Sequence, residues 1–283
     1  MKVFLKKIYF SSIKIFFDLL YSELKIADKK FYNKNIKIRE IKFSKKSKKK
    51  FKIYEIKKSR IYSDFSENVA IIKDKFIIQN LSTQVSKNFL LDVAKNSILQ
   101  TGTRRFIQKK IDGNVLSLIQ GVSAINNYGH WMIDILPKLC ITEQLKKLNN
   151  FDAIYLPNIN LGFQKQSLKY FKINKAKLID GSKINHIYAN KVTIPQHPYW
   201  EIDKDQMMTA DVNPEIIKIL RKKFLKNIKK IKKIKIFIDR SDSKFHHNQI
   251  ENYDEVINIL KDHKFKIIKL TNKTIQKQIS YFK

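Results

Sequence analysis

His130 and Asp134 stand four residues apart in the run Asn-Asn-Tyr-Gly-His-Trp-Met-Ile-Asp-Ile-Leu-Pro-Lys-Leu, residues 126–139. On a helix this spacing puts both side chains on one face, opposite an apolar stripe of Met132, Ile135, Leu136 and Leu139. A histidine beside a carboxylate is suited to acid–base work, but the same pair is also common as a hydrogen-bonded core histidine. Spacing alone leaves both readings open. Pro137 lacks an N–H for the carbonyl four residues back, so it should kink this helix or begin a second one.

A second chemical cluster is Asp239-Arg240-Ser241-Asp242-Ser243. It follows an apolar strand signal at 234–238, and ligands gather at the carboxyl ends of strands in open α/β sheets. Arg240 could clamp a diphosphate with two parallel hydrogen bonds, helped by serine hydroxyls and loop amides. The plainer alternative is a surface salt bridge from Arg240 to Asp239 or Asp242. No metal site is expected. Cys140 is the only cysteine and reads as a small buried hydrophobe, while the adjacent His246 and His247 point different ways. His186, His197 and His263 fall in strand, junction and helix-end positions and are expected to face solvent.

The elements that must hold these residues read as alternating strands and helices. Residues 69–72 and 76–78 form a hairpin signal, and 114–119 a short strand leading through Gly121 and Ser123 into the histidine helix. Further strands are expected at 153–157, 177–179, 187–189 and 192–195, with an amphipathic helix at 163–171. This alternation argues for a parallel, Rossmann-like sheet. The Pro and aromatic cluster His197-Pro-Tyr-Trp200, with the polar stretch 203–209, marks a domain junction. Pro214 then opens a helix at 215–227 that runs into a basic stretch at 229–233. A strand at 234–238, a helix at 253–263 and a strand at 265–270 make a second α/β unit.

The chain carries 58 basic and 25 acidic residues, a formal charge of +33. Only six of the basic residues are arginine, and the lysines are spread along the whole length, which argues against a nucleic-acid reader built on arginine's planar fork. The charge instead favours anionic surfaces and substrates such as lipid headgroups and sugar nucleotides. Residues 25–60 are so lysine-dense that low order is expected there. The apolar stretch at 8–20 is interrupted by Lys14 and Asp18, too short to span a bilayer. It reads as an amphipathic helix packed on the body or lying on a membrane surface, which would place the chain in the cytoplasm, peripheral to the inner face of the membrane.

The order of these pieces is more specific than any one of them. Val115-Leu-Ser-Leu-Ile, Asn127-Tyr128-Gly129-His130-Trp131 with Asp134 and Leu136-Pro-Lys-Leu139, Ile154-Tyr-Leu-Pro, Phe163-Gln-Lys-Gln-Ser-Leu168, and Ile236-Phe-Ile-Asp-Arg240-Ser-Asp with Ile250-Glu-Asn252 together resemble glycosyltransferase family 61. Its members include bacterial capsular polysaccharide enzymes, plant xylan-decorating transferases and animal O-linked N-acetylglucosamine transferases.

The resemblance implies an α/β, GT-B-like fold of two Rossmann-like domains and an inverting transfer from a nucleotide-sugar, usually a UDP-sugar, to a glycan acceptor in surface polysaccharide synthesis. No cofactor is implied. On that template residues 1–60 are a basic, partly mobile segment, 61–205 the acceptor-side domain, and 206–283 a linker helix with a donor-binding domain. His130 or Asp134 is the candidate base, and Tyr128, Trp131, Arg240, Ser241 and Asn252 are the expected substrate and donor contacts.

The chain departs from the family pattern in having Gly129 where a second tyrosine is common and His246-His-Asn-Gln249 where further arginines are common. The family's next strand and its glycine-rich loop are missing after 282, so the second domain is expected to be incomplete and transfer by this chain weak. An inactive glycan- or nucleotide-binding remnant is the alternative, followed by a basic protein that binds nucleic acid or an anionic membrane.

Overall fold

The computed structural model describes residues 2–63, 69–82, 94, 96–103, 107–119, 126–198, 213–226, 234–242 and 250–282. The expected loop residues Gly121 and Ser123, most of the junction (199–209), the basic stretch 229–233 and the histidines at 246–247 lie outside them. The fold is mixed α/β, in two compact units, Met1–Leu220 and Arg221–Lys283.

In the first unit the elements run α1 (Lys2–Tyr21), β1 (Lys25–Ile26), α2 (Lys29–Asn35), β2 (Ile36–Ile41), β3 (Phe51–Ser63), β4 (Val69–Lys73), β5 (Phe76–Ile77), α3 (Ser97–Thr101) and β6 (Lys109–Ser117). They continue through α4 (Tyr128–His130), a π-helical stretch (Trp131–Ile135), α5 (Leu136–Glu143), β7 (Ala153–Leu156), α6 (Gly162–Leu168), β8 (Leu178–Asp180), β9 (His186–Pro195) and α7 (Pro214–Leu225). Among the described residues nine strands form one sheet, ordered β1-β5-β4-β3-β9-β6-β7-β8 with β2 also on β3.

Only part of this sheet is parallel. β9, β6, β7 and β8 pair in parallel, because β6 and β7 are joined through a helix and a crossover returns the chain in the same direction. β2, β3, β4 and β5 pair antiparallel. Their connections are too short for a crossover; β4 turns into β5 through Asp74, which takes the left-handed φ of 55°. The expected hairpin is the antiparallel β4–β5 pair, and the expected parallel, Rossmann-like pairing holds for β9, β6, β7 and β8 but not for the β2–β5 half of the sheet.

The expectation of low order at 25–60 is overturned. β3 lies inside the sheet, with β9 along one side and β2 and β4 sharing the other. Phe51, Ile53, Tyr54 and Ile56 are buried in it, and the core of the unit continues through Ile61, Val69, Ile71, Val115, Ile187 and Val192. The lysines of β3 hide this strand in the sequence because long cationic side chains can leave a buried backbone and reach water. Glu55 also offsets local repulsion: Arg39 Nε on β2 lies 2.9 Å from one of its oxygens and Lys191 Nζ on β9 lies 3.2 Å from the other. Burial pushes the Glu55 carboxyl up, but these two cations more than reverse it and hold it below the ordinary value. β3 bends at Lys58, whose φ is 46°. A further difference is that 186–195 form one strand where two were expected.

The division expected at 205/206 lies outside the described residues, and the compact units part within α7. In the second unit β10 (Ile236–Asp239), α8 (Tyr253–Asp262) and β11 (Lys266–Lys269) form a β-α-β unit with the two strands parallel, followed by α9 (Ile275–Tyr281).

One contact near the carboxyl ends of the parallel strands tests the packing. Gly181 donates its N–H to Leu156 O at 2.8 Å. A Cβ at this glycine would sit 2.6 Å from the same carbonyl and 3.0 Å from Ile119 Cδ1. The carbonyl belongs to a strand and cannot retreat cheaply. Gly181→Ala should therefore lower stability by about 1–3 kcal/mol in urea unfolding, the usual cost of overpacking. Gly162→Ala, where the nearest atom is 3.7 Å away, should not.

Candidate active site

The histidine helix begins where a polar cap allows it. Asn127 precedes the first turn with extended backbone, and its side-chain oxygen accepts from His130 N at 3.2 Å. The next turn is not α-helical. Leu136 N donates to Trp131 O, five residues back, so residues 131–135 form a π-helical stretch. Pro137, in the first turn of α5, supplies the reason: it has no N–H, and its ring would press on the carbonyl four residues earlier. Widening the turn relieves that clash. Pro137 was expected to kink this helix or begin a second one; the helix instead runs on from 128 to 143 and accommodates the proline through the widened turn.

His130 Nδ1 lies 2.9 Å from Asp134 Oδ2. The carboxylate is buried, whereas about a third of the histidine side chain is exposed. Asp134 therefore does not share an outward face with His130; it sits inside and holds the histidine at the edge. With the carboxylate accepting from Nδ1–H, the imidazole's Nε2 carries the lone pair.

Two residues that sequence reasoning passed over complete the cluster. His197 was expected to face solvent, yet its side chain is fully buried and its Nε2 lies 3.8 Å from the same Asp134 oxygen. It follows directly after β9, and His130 follows β6; the two strands are parallel neighbours, so their carboxyl ends bring the residues together. Its place two residues after the expected strand 192–195 was the available signal.

Lys138 is the second. Its Nζ donates to Leu118 O, just beyond β6, at 3.2 Å. Its signal was a lone cation inside the apolar run 135–141. Burial lowers its ammonium to about 8, with Asp134 pulling the other way. His197 is pushed down to about 4 by burial, which outweighs the upward pull of Asp134; Lys138 and His130 push in the same direction as burial. His186 is also buried, contrary to expectation, at the opposite ends of β6 and β9. His263 is exposed as expected.

Trp131 requires a correction. It is fully buried, its Nε1 donating to Ser167 Oγ at 2.8 Å, with its ring 6.3 Å from that of Phe163. It fastens the histidine helix to α6 and offers no surface to a substrate. Tyr128 is exposed at the helix start, edge-on to Phe163 at 5.2 Å, and remains accessible. Asn158, after β7, adds a buried amide that donates to Asn126 Oδ1 at 3.1 Å.

The second unit has its own polar end. Asp239 closes β10 and is buried; it accepts from Ser241 N at 2.8 Å and from Tyr253 O–H at 2.7 Å, with Lys269 Nζ at 3.5 Å. Burial pushes its carboxyl up, but these bonds and Lys269 prevail and hold it below the ordinary value. Arg240 is exposed and, among the described residues, makes no ion pair with Asp239 or Asp242. Ser241 is exposed, and Asn252 bonds Glu255 at 2.9 Å ahead of α8. No group of three or more metal-ligating side chains occurs among the described residues.

The buried His197 makes stability depend on pH in a defined direction. Unfolded, its imidazole takes a proton near 6.5; folded, only near 4. As pH falls through this window the unfolded chain binds the proton first, so stability present above 6.5 is lost by 4. The size is about 3 kcal/mol. Urea unfolding at pH 7, 5.5 and 4 should show that His197→Gln loses this part of the acid sensitivity, while the wild type keeps it.

Residues 128–283, more than half of the chain, match the family model Glycosyltransferase 61. No match is found among curated proteins. The matched region starts at the histidine helix and contains His130, Asp134, Lys138, His197, Asp239 and Arg240, and the chain belongs to glycosyltransferase family 61.

Proposed function

We propose that this glycosyltransferase moves a sugar from a nucleotide-sugar, a UDP-sugar, to a hydroxyl of a glycan acceptor with inversion, in the synthesis of a surface polysaccharide. Membership of the family supplies the reaction class, a donor and an acceptor. The observation that carries the rest is the His130–Asp134 pair, with its carboxylate buried and its imidazole at the edge.

In this reading His130 is the base and Asp134 orients it. The acceptor hydroxyl gives its proton to Nε2 of His130 while its oxygen forms a bond to the anomeric carbon. The bond from that carbon to the diphosphate oxygen breaks on the opposite side, and the electron pair leaves with the diphosphate. A single displacement of this kind inverts the anomeric centre. As the proton arrives, the buried carboxylate stabilises the imidazolium, which is why the charged partner belongs inside and the histidine outside. Asp134 itself is a poor candidate for the base, since it has no exposure through which to meet a hydroxyl.

Arg240 is the proposed diphosphate ligand, with the exposed Ser241 side chain beside it. An exposed guanidinium at the carboxyl end of a parallel strand, with the neighbouring carboxylate already engaged, supports that role. The reading follows the GT-B pattern, with the first unit serving the acceptor and the second the donor. Tyr128 is the remaining candidate for acceptor contact.

The test is release of UDP from a panel of UDP-sugars with glycan acceptors. His130→Ala should lower kcat by about 10²–10⁴-fold without loss of the fold. Asp134→Asn should fall in the same range by presenting the wrong tautomer. Unchanged turnover in His130→Ala would remove the base from this residue. Arg240→Ala should chiefly raise the KM for the donor, by about tenfold or more, because a charge-assisted contact to phosphate is lost.

A further inference from the structure

α1 has two apolar stripes where packing needs one. Its inner stripe includes Phe17 and Tyr21, which stack with centroids 6.4 Å apart. Tyr21 meets the His186 ring at 5.1 Å and lies 5.1 Å from the Arg60 guanidinium carbon. Phe17 also approaches Gly102, where an added Cβ would come within 3.2 Å of its own Cβ. These contacts fix the helix on the first unit.

The outer stripe consists of Leu5, Ile8, Tyr9, Ile15 and Leu19, all exposed, with Leu19 at 84%. These residues share one side of the helix at spacings of three, four and seven, with the exposed Ser12 between Ile8 and Ile15. Large apolar patches of this kind are rare on a free soluble surface and mark an interaction site.

Three observations identify its occupant. α1 contains four lysines and one acid, Asp18, which is paired with Lys14, and the chain as a whole carries +33. That charge opposes pairing of the stripe with a second copy and complements a negative surface. No helix among the described residues is long and apolar enough to cross a membrane. A helix that is apolar on its outer side, basic in sequence and unable to span is suited to lie in the interface plane of a bilayer. We propose that the outer stripe of α1 seats the protein on an anionic phospholipid surface, apolar side chains entering the headgroup boundary and lysines meeting the phosphates. This surface is independent of the transfer chemistry proposed for His130.

Flotation of the full chain with vesicles tests it. The wild type should float with phosphatidylcholine vesicles containing about a third phosphatidylglycerol, and bind pure phosphatidylcholine at least about tenfold more weakly. Ile15→Asp with Leu19→Asp should lose about tenfold or more of the binding to the anionic vesicles, with an unchanged melting temperature. Should that variant fail to fold, Leu19→Cys carrying an environment-sensitive fluorophore gives a second readout. Cys140 is buried and should not compete for the label. The label should shift to the blue on the anionic vesicles. The proposal is overturned if the wild type does not float with them, if the double variant floats as well as the wild type, or if the label is indifferent to lipid. It is equally overturned if the stripe proves to be a dimer contact, with light scattering showing a dimer without lipid that the Asp substitutions dissolve.

Discussion

A carboxylate removed from water is the constraint around which the first unit is arranged. Asp134 is buried at the junction of the π-helical stretch and α5, and an isolated charge there would be too costly to keep. Three nitrogen-bearing side chains from two parts of the chain answer it: His130 one turn earlier, Lys138 one turn later, and His197 from the end of β9. The parallel pairing of β6 with β9 makes this possible, since it delivers His130 and His197 to the same end of the sheet. The fold and the site are therefore one problem. The sheet register that places Val115 beside Val192 also sets where the carboxylate finds its neighbours.

The helix that carries the pair is irregular for a reason contained in its sequence. Pro137 excludes a regular turn ahead of itself, and the widened turn moves Asp134 inward while the Asn127 cap keeps His130 at the rim. Trp131 then locks the result by bonding Ser167 on α6. Widened turns of this type often accompany functional sites, because they re-aim side chains that a regular helix would place differently.

Much of this is legible in the sequence. β6, β7, α6, α8 and β11 follow from apolar runs and their spacing, and the irregularity ahead of Pro137 follows from a missing N–H. What failed did so for identifiable reasons. β3 was obscured because its lysines raise the apparent polarity of a strand that has neighbours on both sides and is mostly buried. β9 looked like two strands because Asn190 and Lys191 interrupt its apolar run, although Asn190 simply faces outward. The family resemblance implied a substrate contact at Trp131, yet neighbours on a helix diverge by about 100° and Trp131 turns into the core while His130 stays at the edge. His197 could not be paired with Asp134 from sequence, since 63 residues and a sheet register separate them; a contact of that kind exists only after the strands are paired.

The lysine content of the chain invites a statistical view, in which any one lysine could be exchanged for another polar residue at little consequence. For those at the surface this is physically sound, since a solvated ammonium contributes little by itself. Lys138 is different. It is the single lysine that is fully enclosed among the described residues, and its ammonium spans from a strand-end carbonyl toward the field of a buried acid. Arginine would bring a wider, rigid head into a space shaped for a compact one, and a neutral residue would leave the acid short of positive charge. Drift in base composition can add or remove lysines across the rest of this protein, but at position 138 it meets a geometric limit.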